Sequence, residues 1–245
     1  MKKNIRLGIA LLLIAHAPGS AFAAGLSPLE QLGKRLFFDT NLSTPPGQSC
    51  ASCHSPEVGF TGPNSAVNAG SAVMPGAVHS RAGNRKPPSA AYGGSSPKLN
   101  LDPVEEIWVG GMFWDGRATG LKLGDPLTEQ AIGPFLNDLE MNMASAKQVI
   151  DRVALSDYAV LFRQVWGAAS LDSKSDVSGT YERIGRSIAA FERSSEVSSF
   201  SSKYDYFLKG KVSLTPQEAR GLSLFEGKAM CSGCHVSQPG PKGEA

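Results

Sequence analysis

Apolar residues recur along this chain at the three- and four-residue spacing of an α-helix, and nowhere alternate over a useful length as a strand would. Between Ala144 and Trp166, positions Val149, Ile150, Val153, Leu155, Tyr158, Val160, Leu161, Phe162 and Val165 predict one or two amphipathic helices. Ile184, Ile188, Ala189 and Phe191 predict another over Tyr181 to Phe191. Gly167 and the mostly polar run from Ser170 to Gly179 link them. Residues 39–49 and 61–103, rich in Gly, Pro, Ser and Asn, read as irregular, and 93–100 as open to disorder. The pattern predicts a mainly α fold with long polar loops.

Two further helices repeat one another. Leu26 to Phe37 and Leu214 to Phe225 both read L-[ST]-P-x-E-x-x-G-x-x-L-F. Each is a helix start: Ser27 or Thr215 as N-cap, proline at the first helical position, and Glu30 or Glu218 closing a capping box. The same pentad follows each helix. Cys50-Ala51-Ser52-Cys53-His54 begins 13 residues after Phe37, and Cys231-Ser232-Gly233-Cys234-His235 begins 6 after Phe225.

C-x-x-C-H is the attachment sequence of c-type haem. Two thiols so spaced can each add to one vinyl group of a porphyrin, and the adjacent histidine is carried under the ring as axial ligand of iron. The pentads use all four cysteines and two of the four histidines. A structural zinc site, a dithiol redox centre and plain disulfides are the alternatives, although zinc would tolerate many residues after each C-x-x-C. A repeated helix and pentad imply the beginnings of two cytochrome-c-like domains.

The first residues change the picture of compartment. A basic start (Lys2, Lys3, Arg6), an apolar run from Leu7 to Ala15 and Ala21-Phe22-Ala23 read as a signal peptide over 1–23, hence export, with the periplasm as destination. No other stretch suits a membrane span. Cleavage would remove three positive charges and take the formal charge from +2 to −1. So balanced a chain gives no case for nucleic acid.

Between the pentads lie Phe113-Trp114-Asp115-Gly116-Arg117, Gln130-Ala131-Ile132-Gly133-Pro134-Phe135 and Leu139-Glu140-Met141. This order resembles the bacterial di-haem cytochrome c peroxidases, a family that includes the di-haem enzyme maturing methylamine dehydrogenase. The resemblance runs from Leu26 to His235. It implies two covalent haems, a peroxidatic one in an N-terminal domain over 24–200 and an electron-relay one in a C-terminal domain beginning at 201. His54 and His235 match the proximal ligands, and Trp114 the tryptophan between the haems. Glu140 matches the distal carboxylate and Gln130 a distal amide, with Pro134 in the same loop. On their own, Trp114 reads as an ordinary buried aromatic and Glu140 as a surface charge. His79 is the candidate displaceable sixth ligand of the first haem, the alternative being a solvated loop histidine.

The reaction so implied is reduction of hydrogen peroxide to water, with electrons from a small cytochrome c or cupredoxin. One rival is oxidation of a side chain of a partner protein by the same haems. Another, of a different class, is a pure electron carrier or redox sensor, which would have no use for a distal acid. A homodimer is left open. Two departures stand out. Lys86 follows Arg85 where the family often has an asparagine that helps bind calcium, with Asn84 before it, which speaks against that ion. The separation from Trp114 to Gln130, through Gly120 to Asp125, is longer than in the simplest peroxidases. The chain also stops ten residues after His235, so the expectation is a second haem domain that is truncated over 201–245, its haem's sixth ligand lying beyond Ala245.

Overall fold

The computed structural model describes residues 25–63 and 69–238; the segment read as a signal peptide lies outside them. Eight helices can be followed: α1 (Pro28–Phe37), α2 (Cys50–Cys53), α3 (Pro126–Leu136), α4 (Ala146–Ala154), α5 (Ala159–Trp166), α6 (Val177–Arg193), α7 (Lys203–Leu208) and α8 (Pro216–Glu226). No described helix is long and apolar enough to cross a membrane.

The long helix α6 is the axis, with α1, α3 and α4 packed around it. Its inner stripe of Ile184, Ile188 and Phe191 is fully buried, and meets Leu32, Leu36 and Phe37 of α1, Phe135 of α3, Val149, Ile150 and Val153 of α4 and Phe162 of α5 in one core. Phe37 stacks edge-on to Phe191 with ring centroids 5.4 Å apart. The crossing of α1 on α6 depends on Gly33, where a Cβ would stand 1.9 Å from the Ser187 carbonyl oxygen. The two helix starts read from the repeat are present with complete capping boxes, Ser27 with Glu30 and Thr215 with Glu218. The Ala144 to Trp166 stretch forms two helices, because Leu155 and Ser156 turn the chain between α4 and α5.

The fold is helix-rich with little sheet, and it corrects the sequence reading in three places. Residues 100–109 form a short antiparallel hairpin, β1 (Asn100–Asp102) against β2 (Ile107–Val109). Three-residue strands are too short to leave a period-2 signal. Gly93–Ser95 is a 3-10 turn, pinned by Arg193 donating to the Gly94 carbonyl at 3.0 Å, so this segment is ordered. Gln130 and Pro134 lie on helix α3, not in a loop. Asp125 caps that helix by accepting from Leu127 N–H at 3.2 Å, Pro126 opens it where its N–H would be unpaired anyway, and Pro134 falls in its last turn, so any break in the ladder comes near the helix end.

Candidate functional site

A single cleft gathers segments far apart in the chain. Its walls come from Gln48 to His54, Met74 and Pro75, the loop 83–90, Met112 to Trp114 with Arg117, one face of α3, the turn 139–141, and Ile188 and Glu192 of α6. Empty space in it totals about 1160 Å³, part of it open to solvent.

On one wall, α2 carries the first pentad. Gln48 donates to Cys53 Sγ at 3.6 Å and to the Pro75 carbonyl at 3.4 Å. The His54 backbone N–H donates to the Cys50 carbonyl at 2.9 Å, closing the turn of the pentad. His54 Nδ1 lies 3.1 Å from the Phe60 carbonyl oxygen, the geometry of an Nδ1–H donor, which leaves Nε2 free as a ligand. Aiming that carbonyl requires Phe60 at φ 58°, a left-handed conformation unusual for a bulky residue. The loop carrying it is closed by the pairing of Ser55 with Thr61. Burial pushes the imidazole pKa down, against the Phe60 and Pro88 carbonyls, and so favours the neutral, metal-binding form. Burial also pushes both thiols up, Cys53 to about 11.

The opposite wall is α3 and the turn after it. Leu127, Gln130, Ala131 and Pro134 share one helix face at i, i+3, i+4 and i+7 and all line the cleft. Glu140 follows in a turn where its own backbone is held by main chain: its N–H donates to Asn137 O at 3.0 Å and its carbonyl accepts from Ala77 N–H at 2.7 Å. Gly76 permits this approach, since a Cβ there would come within 2.3 Å of the Leu139 carbonyl oxygen. Burial raises the Glu140 carboxyl above its ordinary value, with the Arg117 charge and an Asn137 hydrogen bond opposing. Its surroundings are thus not those of a free surface charge.

Trp114 sits at the mouth of the cleft. Its indole N–H donates to the Lys86 carbonyl at 3.1 Å, yet the residue is 68% exposed, unlike a core aromatic. Beside it Arg117 lies over the Phe113 ring, 3.7 Å from its centroid, and grips Asp115 through both carboxylate oxygens at 2.8 and 3.0 Å. The long stretch between Trp114 and Gln130 is organised by Glu129, whose carboxylate accepts from Gly120, Lys122 and Leu123 N–H at 2.7–2.9 Å. His79 is exposed and lines a separate concavity with Pro45, Pro46 and Gly47, so it is not brought together with the others. Arg117 and Glu192 are wall residues to which sequence reasoning gave no role. For Glu192 the signal was a carboxylate four residues after Ile188, on the apolar stripe of a predicted helix.

The second pentad repeats the turn of the first, with His235 N–H donating to Cys231 O at 2.9 Å. Cys234 and His235 are exposed, and Leu222 and Phe225 of α8 line a shallow concavity with Tyr204 and Val236.

These residues fit a haem in the first cleft. The cysteines form no disulfide, burial disfavours the charged form of the His54 imidazole, and its Nδ1 faces the Phe60 carbonyl. The space is large and its lining mostly apolar, and among the described residues no group of three or more His, Cys, Asp or Glu side chains converges to hold a lone metal ion.

Comparison with known proteins agrees. Residues 27–213 match the sequence profile of the di-haem cytochrome c peroxidase family. The chain is 33% identical over 231 residues to methylamine utilization protein MauG of Paracoccus denitrificans, covering 94% of this chain and 57% of that one. It is 32% identical over 210 residues to cytochrome c551 peroxidase of Nitrosomonas europaea, covering 84% and 51%. Among solved structures it resembles the diheme peroxidase BthA of Burkholderia thailandensis, with a TM-score of 0.72 and 34% identity over 91% of this chain and 54% of that one. The chain thus spans about half the length of the relatives it matches. It belongs to the di-haem cytochrome c peroxidase family.

Proposed function

We propose that the protein is an exported, periplasmic peroxidase carrying two covalent c-type haems, one at Cys50, Cys53 and His54 and one at Cys231, Cys234 and His235. It reduces hydrogen peroxide to two waters with two electrons from a small cytochrome c or cupredoxin and two protons. The observation that carries this reading is the cleft in which Glu140 and Gln130 face the first pentad. When bound, the haems supply the iron that binds peroxide and the electrons that reduce it.

The chain's own residues do the rest. Glu140 takes the proton of the incoming peroxide and returns it to the departing oxygen, and burial raises its carboxyl above the ordinary value. The Gln130 amide orients peroxide or water by hydrogen bonding. Cys50 and Cys53 hold the haem and the Phe60 carbonyl holds His54 in the ligating tautomer. Trp114, at the mouth, shortens the electron path towards the second haem.

A second reading, oxidation of a side chain of a partner protein, is favoured by the similarity to the methylamine utilization protein, 33% over 231 residues against 32% over 210 for the cytochrome c551 peroxidase. The test is to mature the protein where c-type haem is attached, count haems by mass, and mix it with peroxide and a reduced cytochrome c or cupredoxin. Two haems with peroxide-dependent donor oxidation are expected. Fewer than two haems, or two haems with no peroxide consumption, would refute the proposal. Peroxide consumption that ignores the small donor but oxidises a partner protein would select the second reading.

A further inference from the structure

A second carboxyl lies in the wall of the same cleft, and the acid–base assignment leaves it without a role. Glu192 is the penultimate residue of α6 and only 5% exposed. Its backbone is secured, with the carbonyl accepting from the Ser198 hydroxyl at 2.9 Å. Its side chain is not: Oε2 is buried without a hydrogen-bond donor among the described residues.

The surrounding charges explain why. Arg193, next in the chain, points its guanidinium at Asp125, with nitrogen–oxygen distances of 3.0 and 2.7 Å, and at the Gly94 carbonyl. From α1, Lys34 pairs with Glu196. The titratable groups acting on Glu192 are therefore Arg193 on its own helix and Asp125 at the start of α3, while Glu192 in turn acts on the Cys50 thiol of α2. Glu140 is the other carboxyl of the cleft. Burial pushes Glu192 up to about 8, with Arg193 opposing and Asp125 adding.

An unpaired buried carboxylate is costly, and among the described residues no donor meets Glu192 Oε2. It also stands beside one of the two sulfurs that would anchor the first haem. An oxidised iron porphyrin carries one more positive charge than the reduced form, so a carboxyl there meets a charge that comes and goes with the electron. We infer that Glu192 is the redox-linked proton site of the haem held by Cys50 and Cys53, ionised beside the oxidised cofactor and protonated beside the reduced one. For each electron delivered by a one-electron reductant, one proton passes from solvent to the Glu192 carboxylate. No bond to the cofactor forms or breaks, and oxidation reverses the transfer. The inference rests on the di-haem reading. It adds a proton acceptor on the anchoring side, distinct from Glu140 on the peroxide side.

The test is a spectroelectrochemical titration of the holoprotein at a series of pH values, with haem content fixed by mass. In the wild type the midpoint potential of the Cys50/Cys53 haem should fall as pH rises across the window in which Glu192 ionises. Glu192→Gln should abolish that slope with both haems in place. Glu192→Asp should keep it over a displaced window, and Glu140→Gln should leave it present. An unchanged slope in Glu192→Gln, or a flat wild-type profile, would overturn the inference. Absence of haem from Cys50 and Cys53 in the wild type would overturn the di-haem reading with it. Should Glu192→Gln fail to fold, the redox-difference infrared spectrum of the wild type decides. A protonated-carboxyl band gained on reduction supports the inference, and its absence defeats it.

Discussion

Glu140→Gln replaces a carboxylate oxygen by an amide nitrogen at nearly constant volume, and it isolates proton transfer from structure. The backbone of residue 140 is fixed by bonds to Asn137 and Ala77 that the side chain does not make, so the turn and the cleft should persist. What disappears is the ability to take and return a proton. A positioned acid–base group contributes roughly 100- to 10,000-fold, which at about 1.36 kcal/mol per decade is about 2.7–5.5 kcal/mol of barrier. Burial raises the wild-type carboxyl above its ordinary value, with Arg117 and Asn137 opposing. The loss should therefore fall within that range.

The pH dependence follows from the same shift. As a base, Glu140 must be ionised when peroxide arrives, so wild-type kcat/KM should decline as pH falls through its raised pKa. That acid limb should lie above the ordinary glutamate range, and the variant should lack it. The assay is steady-state, peroxide-dependent oxidation of a reduced donor from acid to neutral pH, with both haems verified by mass. Near-wild-type turnover in Glu140→Gln, or an acid limb that survives the substitution, would remove Glu140 from the mechanism.

Gln130→Ala should cost less, about 0.5–1.5 kcal/mol or roughly tenfold at most, because one orienting hydrogen bond is lost and no proton transfer; the same turnover assay measures it. Trp114→Phe should slow re-reduction of the first haem after a single turnover while leaving its initial reaction with peroxide unchanged, as stopped-flow absorbance would resolve. Gly76→Ala should destabilise the fold by about 1–3 kcal/mol, since a Cβ only 2.3 Å from the Leu139 oxygen must push the Glu140 turn away, and thermal unfolding with parallel turnover would register both effects. With His79 outside the cleft, His79→Gly should leave the spectrum of the oxidised protein unchanged; conversion to an open high-spin haem would restore it as a ligand.

Much of this was legible in the sequence because the signals were local. A capping box states its own geometry within four residues, and both were read correctly. A C-x-x-C-H pentad likewise fixes the placement of its histidine through one short turn, seen twice. Tertiary features were harder. The Gln130–Pro134 segment read as a loop because glycine and proline dominate its composition, while the Asp125 cap that starts the helix lies outside the motif. The exposure of Trp114 depends on where the hairpin region and the loop 83–90 end, and no local pattern encodes that. His79 has a plausible residue type in a plausible stretch, but a turn from Val78 to Arg81 keeps it on the surface. The role of Glu129 depends on backbone amides six to nine residues upstream, which periodicity does not report.

The loop 86–90 touches two parts of the site that seem independent. The Lys86 carbonyl accepts from the Trp114 indole, and Pro87 O accepts from the Thr61 hydroxyl at 3.1 Å. Ser89 Oγ donates to Gly59 O at 2.7 Å, and Ala90 N–H donates to the Phe60 carbonyl oxygen that also faces His54 Nδ1. One five-residue strut thus braces the proximal imidazole at one end and the indole at the other. Rigid prolines at 87 and 88 give it little freedom to yield between them. The orientation of the His54 imidazole and the placement of the aromatic ring at the cleft mouth are therefore linked through one segment. A double-mutant cycle between Trp114 and Thr61 should show coupling, although neither side chain is hydrogen-bonded to the other.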